Sequence, residues 1–110
     1  MHELLAVSTI DGRYRKQVKE LSTYFSEAAL MRFRLLIEIE YLIALCAQEN
    51  ITEFESLSTE NKKKLRQLYH KFSLSDAQDI KNIEKKINHD VKSIEYFLKS
   101  KLEKNRSSKI

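Results

Sequence analysis

Two short polar groups in this chain have the residue types and spacing to handle an anion: Asp11-Gly12-Arg13-Tyr14 and Asn88-His89-Asp90. Arg13 carries a planar fork of donors that fits a phosphate or a carboxylate, and Tyr14 adds a hydroxyl and an aromatic face. Gly12 is the single glycine among 110 residues, and the chain has no proline. Glycine there suits a backbone with positive φ, or the close approach of another group. A plain turn before a helix, with Arg13 in solvent, explains the same spacing and is the simpler account.

In the second group, Asn and Asp are natural N-caps, and they interrupt an otherwise continuous helical pattern. A helix that restarts there presents unpaired backbone N–H groups, which favour an anion. The Asn88 amide and the switchable ring of His89 would stand beside them. Neighbours in sequence point to different faces of a helix, so no His89–Asp90 pair is assumed. A structural kink with His89 as a bystander accounts for these residues slightly better from spacing alone. His2 and the lysine-flanked His70 read as surface residues. Gly-rich phosphate loops, zinc-ligand spacings and nucleophile elbows are missing from the sequence.

The elements that must position these groups are helical. With one glycine and no proline, almost nothing is written to form tight turns, so an all-α fold in a single domain over residues 1–110 is expected. Val18, Leu21 and Phe25 have the spacing of a short helix after the glycine turn. In "SEAALMRFRLLIEIEYLIALCAQEN", Leu30, Phe33, Ile37, Tyr41, Ala44 and Leu45 trace a stripe that Leu36, Ile39 and Ile43 thicken. Ser26 or Thr23 would cap that helix. So broad an apolar surface implies burial on more than one side, hence a partner or further chain. After a polar break at Gln48–Thr52, Ser58 caps a helix carrying Leu65, Leu68, Tyr69 and Phe72 at i, i+3, i+4 and i+7. Ser75 and Gln78 then form a candidate capping box, followed by Ile80, Ile83 and Ile87 on an inner face. Beyond Asp90 the stripe resumes with Val91, Ile94, Phe97 and Leu98.

Composition narrows the function classes. At 42% hydrophobic and 33% charged residues, the chain is globular rather than disordered. Its net charge of +4 lies largely in the final "KSKLEKNRSSKI", and no aromatic residues interleave with the lysines as a stacking platform requires. A solvated helix face therefore outweighs a nucleic-acid surface. The lone Cys46 forms no internal disulfide and reads as a buried helix residue of a reducing, cytoplasmic protein. The first ten residues lack the pattern of a signal peptide. The most apolar window, Ala28 to Ala47, is broken by Arg32, Arg34, Glu38 and Glu40, which argues against a membrane span.

Taken together, "STIDGRY", "FSEAALMRFRLLIEIEYL" and "IKNIEKKINHDVKSIEYFLK" resemble, in order and spacing, the opening of adenylosuccinate lyases in their longer bacterial form. The resemblance covers nearly the whole chain, and "NHDVKSIEYFLK" is its most specific block. It implies the amino-terminal helical domain of the fumarase/aspartase superfamily, whose members are homotetramers. It also implies elimination of fumarate from adenylosuccinate, giving AMP, and from the succinyl-carboxamide ribotide of purine synthesis, with no cofactor and no metal. By the same resemblance Arg13 and Tyr14 contact the nucleotide, while Asn88, His89 and Asp90 line the substrate site. His89 would hold a carboxylate or assist in moving a proton. The family's acid histidine and base serine have no match here and are expected beyond the end of this chain, so the 110 residues alone should not turn over substrate. Two positions depart from the family pattern: Thr9 where proline is common, and Ile87 where threonine is common. The competing readings are a non-catalytic helical interaction module that reuses this domain, and a basic nucleic-acid binder built on Lys62, Lys63, Lys64 and the tail.

Overall fold

A computed structural model describes residues 2–8, 12–48 and 56–105. Thr9 and Asp11, and most of the polar break before Ser58, lie outside them. A 3-10 turn at Glu3–Leu5 leads to α1 (Arg15–Val18), a second 3-10 turn (Lys19–Leu21) and α2 (Ser22–Phe25). Four longer helices follow: α3 (Glu27–Ala47), α4 (Thr59–His70), α5 (Leu74–Ile87) and α6 (Asp90–Asn105). No strand occurs among the described residues. The all-α expectation is met.

Local chemistry explains where the helices begin. Ser26 breaks the chain into extended backbone, and its hydroxyl accepts the Ala29 N–H at 3.1 Å while donating to the Ser22 carbonyl. Of the two residues expected to cap α3, Ser26 is therefore the one that does. Ser58 accepts the Asn61 N–H at 3.1 Å and caps α4, as expected. The capping box of α5 differs from expectation. It is Ser73 with Asp76, not Ser75 with Gln78: Asp76 N–H donates to Ser73 Oγ at 3.2 Å and Ser73 N–H to Asp76 Oδ2 at 3.0 Å. Both pairs have the right spacing, and both leave Asp76 in the first turn; the earlier start puts its carboxylate at the third helical position, where it accepts from the Ser73 N–H and hydroxyl. Gln78 instead donates to Asn82 one turn on, at 3.1 Å.

The long helix α3 is the spine on which α4, α5, α6 and the first 3-10 turn all pack. Leu35 and Ile39 of α3, Ile80 of α5 and Ile94 of α6 are fully buried at the centre of the core. Met31, Leu35, Ile39, Ile43 and Cys46 form the inward stripe of α3. This corrects the sequence expectation. Leu30, Ile37, Tyr41 and Ala44, read as the principal stripe, are exposed, with Ile37 at 63% and Tyr41 at 62%. Phe33 and Leu45 are half-buried. The helix is apolar on two opposite sides, so periodicity alone cannot say which side faces its neighbours. Within this chain α3 buries one of these sides and leaves the other open. Cys46 is buried, as expected.

Charged residues of α3 fix how the other helices sit. Glu40 takes both Nε and NH2 of Arg66, at 2.9 and 3.1 Å, and also the Tyr69 hydroxyl at 2.7 Å. Arg32 Nε donates to the Tyr69 carbonyl at 2.9 Å, so α4 is held to α3 at its last turn. The segment after the glycine is less regular than its spacing promised. Val18 is buried, whereas Leu21 and Phe25 are exposed, and the 3-10 turn divides what reads as one short helix. In α6, Ile94, Phe97 and Leu98 are buried as expected, but Val91 and, at the end of α5, Ile87 are exposed. Ile83 packs against the core from its edge.

Candidate functional site

The first candidate group lies on the short turn that enters α1. Gly12 does not have a positive φ, and a Cβ built on it would meet nothing within 4 Å. Among the described residues neither backbone strain nor crowding demands the glycine. Arg13 and Tyr14 are both exposed, and the Arg13 guanidinium lies 5.4 Å from the centroid of the Tyr14 ring. At that range the ring face attracts the cation and orders the two side chains relative to each other. The Tyr14 carbonyl starts α1 by accepting the N–H groups of Gln17 and Val18, at 2.9 and 3.2 Å. Among the described residues no hydrogen bond engages the Tyr14 phenol or the Arg13 fork. Arg15 anchors the turn from its other end by donating to the Leu5 carbonyl at 3.4 Å.

The second group is the corner between α5 and α6. Asn88 adopts left-handed backbone, φ 52 and ψ 37, as the sole non-glycine residue with positive φ among those described. Asparagine tolerates that region better than most side chains, and its own N–H closes α5 onto the Glu84 carbonyl at 2.7 Å. His89 then opens α6 twice over. Its Nδ1 accepts the Lys92 N–H at 3.2 Å, and its carbonyl accepts the Ser93 N–H at 3.1 Å. A neutral ring whose Nδ1 accepts carries its proton on Nε2, so the ring offers a donor from that atom. The corner is thus the helix restart that the sequence suggested, but with other caps: Asn88 ends α5, Asp90 is the first residue of α6, and His89, read as a bystander, is the residue that caps α6.

Asp90 is engaged at both oxygens. Oδ1 accepts the Val91 N–H at 2.8 Å, and Oδ2 meets Arg34 NH1 at 3.0 Å. Those contacts, the backbone N–H first and Arg34 second, hold the Asp90 carboxyl below the usual carboxylate range. His89 and Asp90 make separate contacts, in keeping with the expectation that they do not form a pair. Arg34 is the residue that sequence reasoning missed. It stands 56 positions from Asp90, and its only signal was a charge placed in the most apolar helix.

Asp90, Arg34 and Glu84 also line a small cleft with Glu27, Leu30, Met31 and Ile80, with a volume of about 90 Å³. Lys81 pairs with two of these residues, 2.7 Å from Glu27 and 3.6 Å from Glu84. Ligand pockets run to roughly 300–1,000 Å³, so this cleft by itself has no room for a nucleotide. No hydrogen bond or ion pair links the Arg13–Tyr14 turn to the corner among the described residues. Nor do those residues hold a group of three His, Cys, Asp or Glu side chains that could bind a metal. No helix among them is long and apolar enough to cross a membrane.

Comparison with known proteins places this geometry in context. No family model matches the chain. Curated relatives do, along nearly all of it. An adenylosuccinate lyase from Dictyostelium discoideum is 50% identical over 106 residues, covering 93% of this chain and 22% of the relative. One from Legionella pneumophila is 44% identical over 106 residues, covering 96% and 23% respectively. One from Escherichia coli K12 is 41% identical over 102 residues, covering 93% and 22%. The chain therefore spans less than a quarter of the length of the relatives it matches. Along nearly its whole length, this chain is similar to one segment of adenylosuccinate lyases, the family that its three sequence blocks resemble.

Proposed function

We propose that the chain is the amino-terminal part of an adenylosuccinate lyase and supplies one wall of its substrate site. The observation that carries this reading is identity of 41–50% to lyases along more than nine-tenths of the chain. The reaction is elimination of fumarate from adenylosuccinate to give AMP, and from the succinyl-carboxamide ribotide earlier in purine synthesis. A base takes the proton from the carbon next to the one bearing nitrogen. That electron pair becomes the C=C bond of fumarate, the C–N bond breaks, and an acid protonates the departing nitrogen. In this reading the acid and base belong to parts of the lyase beyond this segment.

What these residues contribute is recognition of charge. The substrate carries a phosphate and two carboxylates, and the Arg13 fork, the Tyr14 hydroxyl, the Asn88 amide and His89 Nε2 are all groups that can donate to such oxygens. Holding a carboxylate ranks first for His89, because its Nδ1 is already used to cap α6. The small cleft at the corner fits a site completed by other walls, from the rest of the lyase and from neighbouring subunits of a homotetramer. A cytoplasmic enzyme without cofactor or metal completes the proposal. The interaction-module alternative draws support from the exposed face of α3 alone.

The test uses a full-length lyase that contains this segment. Arg13→Ala and His89→Ala are each expected to lower kcat/KM for adenylosuccinate by on the order of 10- to 100-fold, the cost of losing one charged contact. The purified 110-residue chain is expected to release no fumarate above a protein-free blank. Full activity in both variants, or turnover by the isolated chain, would overturn the proposal.

A further inference from the structure

We infer that Arg34 is a positioning residue for the Asn88–His89–Asp90 corner, and that Asp90 serves as its anchor rather than as a direct contact to substrate. The inference rests on the proposed function, and it changes the role that resemblance alone gives to Asp90. Both Asp90 oxygens are already engaged, one by the Val91 N–H at 2.8 Å and the other by Arg34 at 3.0 Å. Its carbonyl also accepts a hydrogen bond from the Ser93 hydroxyl. A bare carboxylate facing a substrate with a phosphate and two carboxylates would repel it; one neutralised by a guanidinium does not.

The geometry shows what the anchor holds. Asp90 is the first residue of α6, next to the His89 ring that caps the same helix and two positions from the left-handed Asn88. Arg34 projects from α3, so the pair ties the start of α6 to the spine of the fold. On the α5 side of the turn, Lys81 makes a parallel tie to Glu27 of α3 at 2.7 Å. The helices on both sides of the turn that presents Asn88 and His89 are thus tied to α3, α6 at the turn itself and α5 further back along its length. Both members of the Arg34–Asp90 pair are partly exposed, at 31% and 55% of their side chains. Ion pairs so exposed contribute little to folding. The pair therefore acts on orientation, and small displacements of a substrate-holding group are costly to catalysis.

A double-mutant cycle in a full-length lyase containing this segment tests the inference. Arg34→Ala and Asp90→Asn are each expected to raise KM for adenylosuccinate by on the order of 10-fold with a smaller change in kcat. Arg34→Lys should restore part of the loss. The double variant should be no worse than the poorer single variant, because the two residues act as one unit. Thermal midpoints of all four proteins should stay close to that of the parent. If Asp90→Asn still costs its full factor in the Arg34→Ala background, Asp90 touches substrate directly and the inference fails. It fails also if Arg34→Ala leaves KM unchanged. Arg13→Ala and His89→Ala are measured alongside. If those two are fully active while Arg34 and Asp90 remain coupled in thermal midpoint only, the site reading has failed and the ion pair is purely structural.

Discussion

At the scale of single residues, Asn88 and Gly12 exchange the roles their types suggest. The glycine has no positive φ and an open Cβ position, whereas the asparagine carries the left-handed turn. Asn88 therefore has two separable properties, a tolerated backbone and a side-chain amide. Asn88→Ala is expected to destabilise the protein by about 1 kcal/mol through left-handed strain, while Asn88→Gly, which relieves that strain, should be neutral or slightly stabilising. Thermal midpoints measure the first property. In a full-length lyase containing the segment, a fall in kcat/KM with Asn88→Gly at unchanged stability would assign a substrate contact to the amide. A drop in midpoint with glycine as large as with alanine would contradict the geometry. The corner was legible in the sequence as an interruption of the helical pattern, though not with His89 as the cap of α6. Its tie to Arg34 was not, because nothing local marks a partner 56 positions away.

At the scale of elements, α4 is docked by a clamp whose strength depends on one ionised group. The Glu40 carboxyl is held below its ordinary value of 4.5, first by the hydrogen bond from Arg66 and next by that from Tyr69. Burial, followed by the bond to Glu40, pushes the Tyr69 phenol up. A carboxyl whose folded value is depressed adds stability that is complete above its unfolded value and is lost as pH falls through the folded one. The thermal midpoint is therefore expected to decline with acid below about pH 4.5. Glu40→Gln should remove part of that decline. Identical acid limbs in parent and variant would show that the clamp does not form in solution. The same scale explains the shift in the α5 cap. Ser73–Asp76 and Ser75–Gln78 are equivalent as patterns, and the structure selects the pair whose third helical residue is a carboxylate, a charged acceptor for the Ser73 N–H.

At the scale of the whole molecule, α3 has apolar residues on two opposite sides, one buried in this chain and one open. Ile39 and Ile37, two positions apart, have exposures of 0% and 63%. Ile39→Ala should cost about 2–5 kcal/mol through a cavity in the core. Ile37→Lys should change stability by no more than about 0.5 kcal/mol, since it removes nothing that this chain buries. Urea denaturation of the chain and the two variants measures both. An equal loss from the two substitutions would mean that α3 is turned the other way. The overall dimensions, 54 × 28 × 22 Å, agree with a spine that carries its neighbours along its length.

The division between what was written locally and what was decided by packing follows from the range of the forces involved. The absence of proline, the near-absence of glycine and the capping residues Ser26 and Ser58 mark an all-helical chain and its breaks, because caps and helical turns are settled within four residues. The lyase resemblance was likewise legible, since its blocks lie in continuous runs. Two things waited on the tertiary structure: the inward face of α3 and the Arg34–Asp90 tie. Each depends on elements that meet only after the chain has folded back on itself. A helix apolar on both sides and a charge without a near neighbour each leave two or more local answers of similar energy, and packing against distant segments selects one.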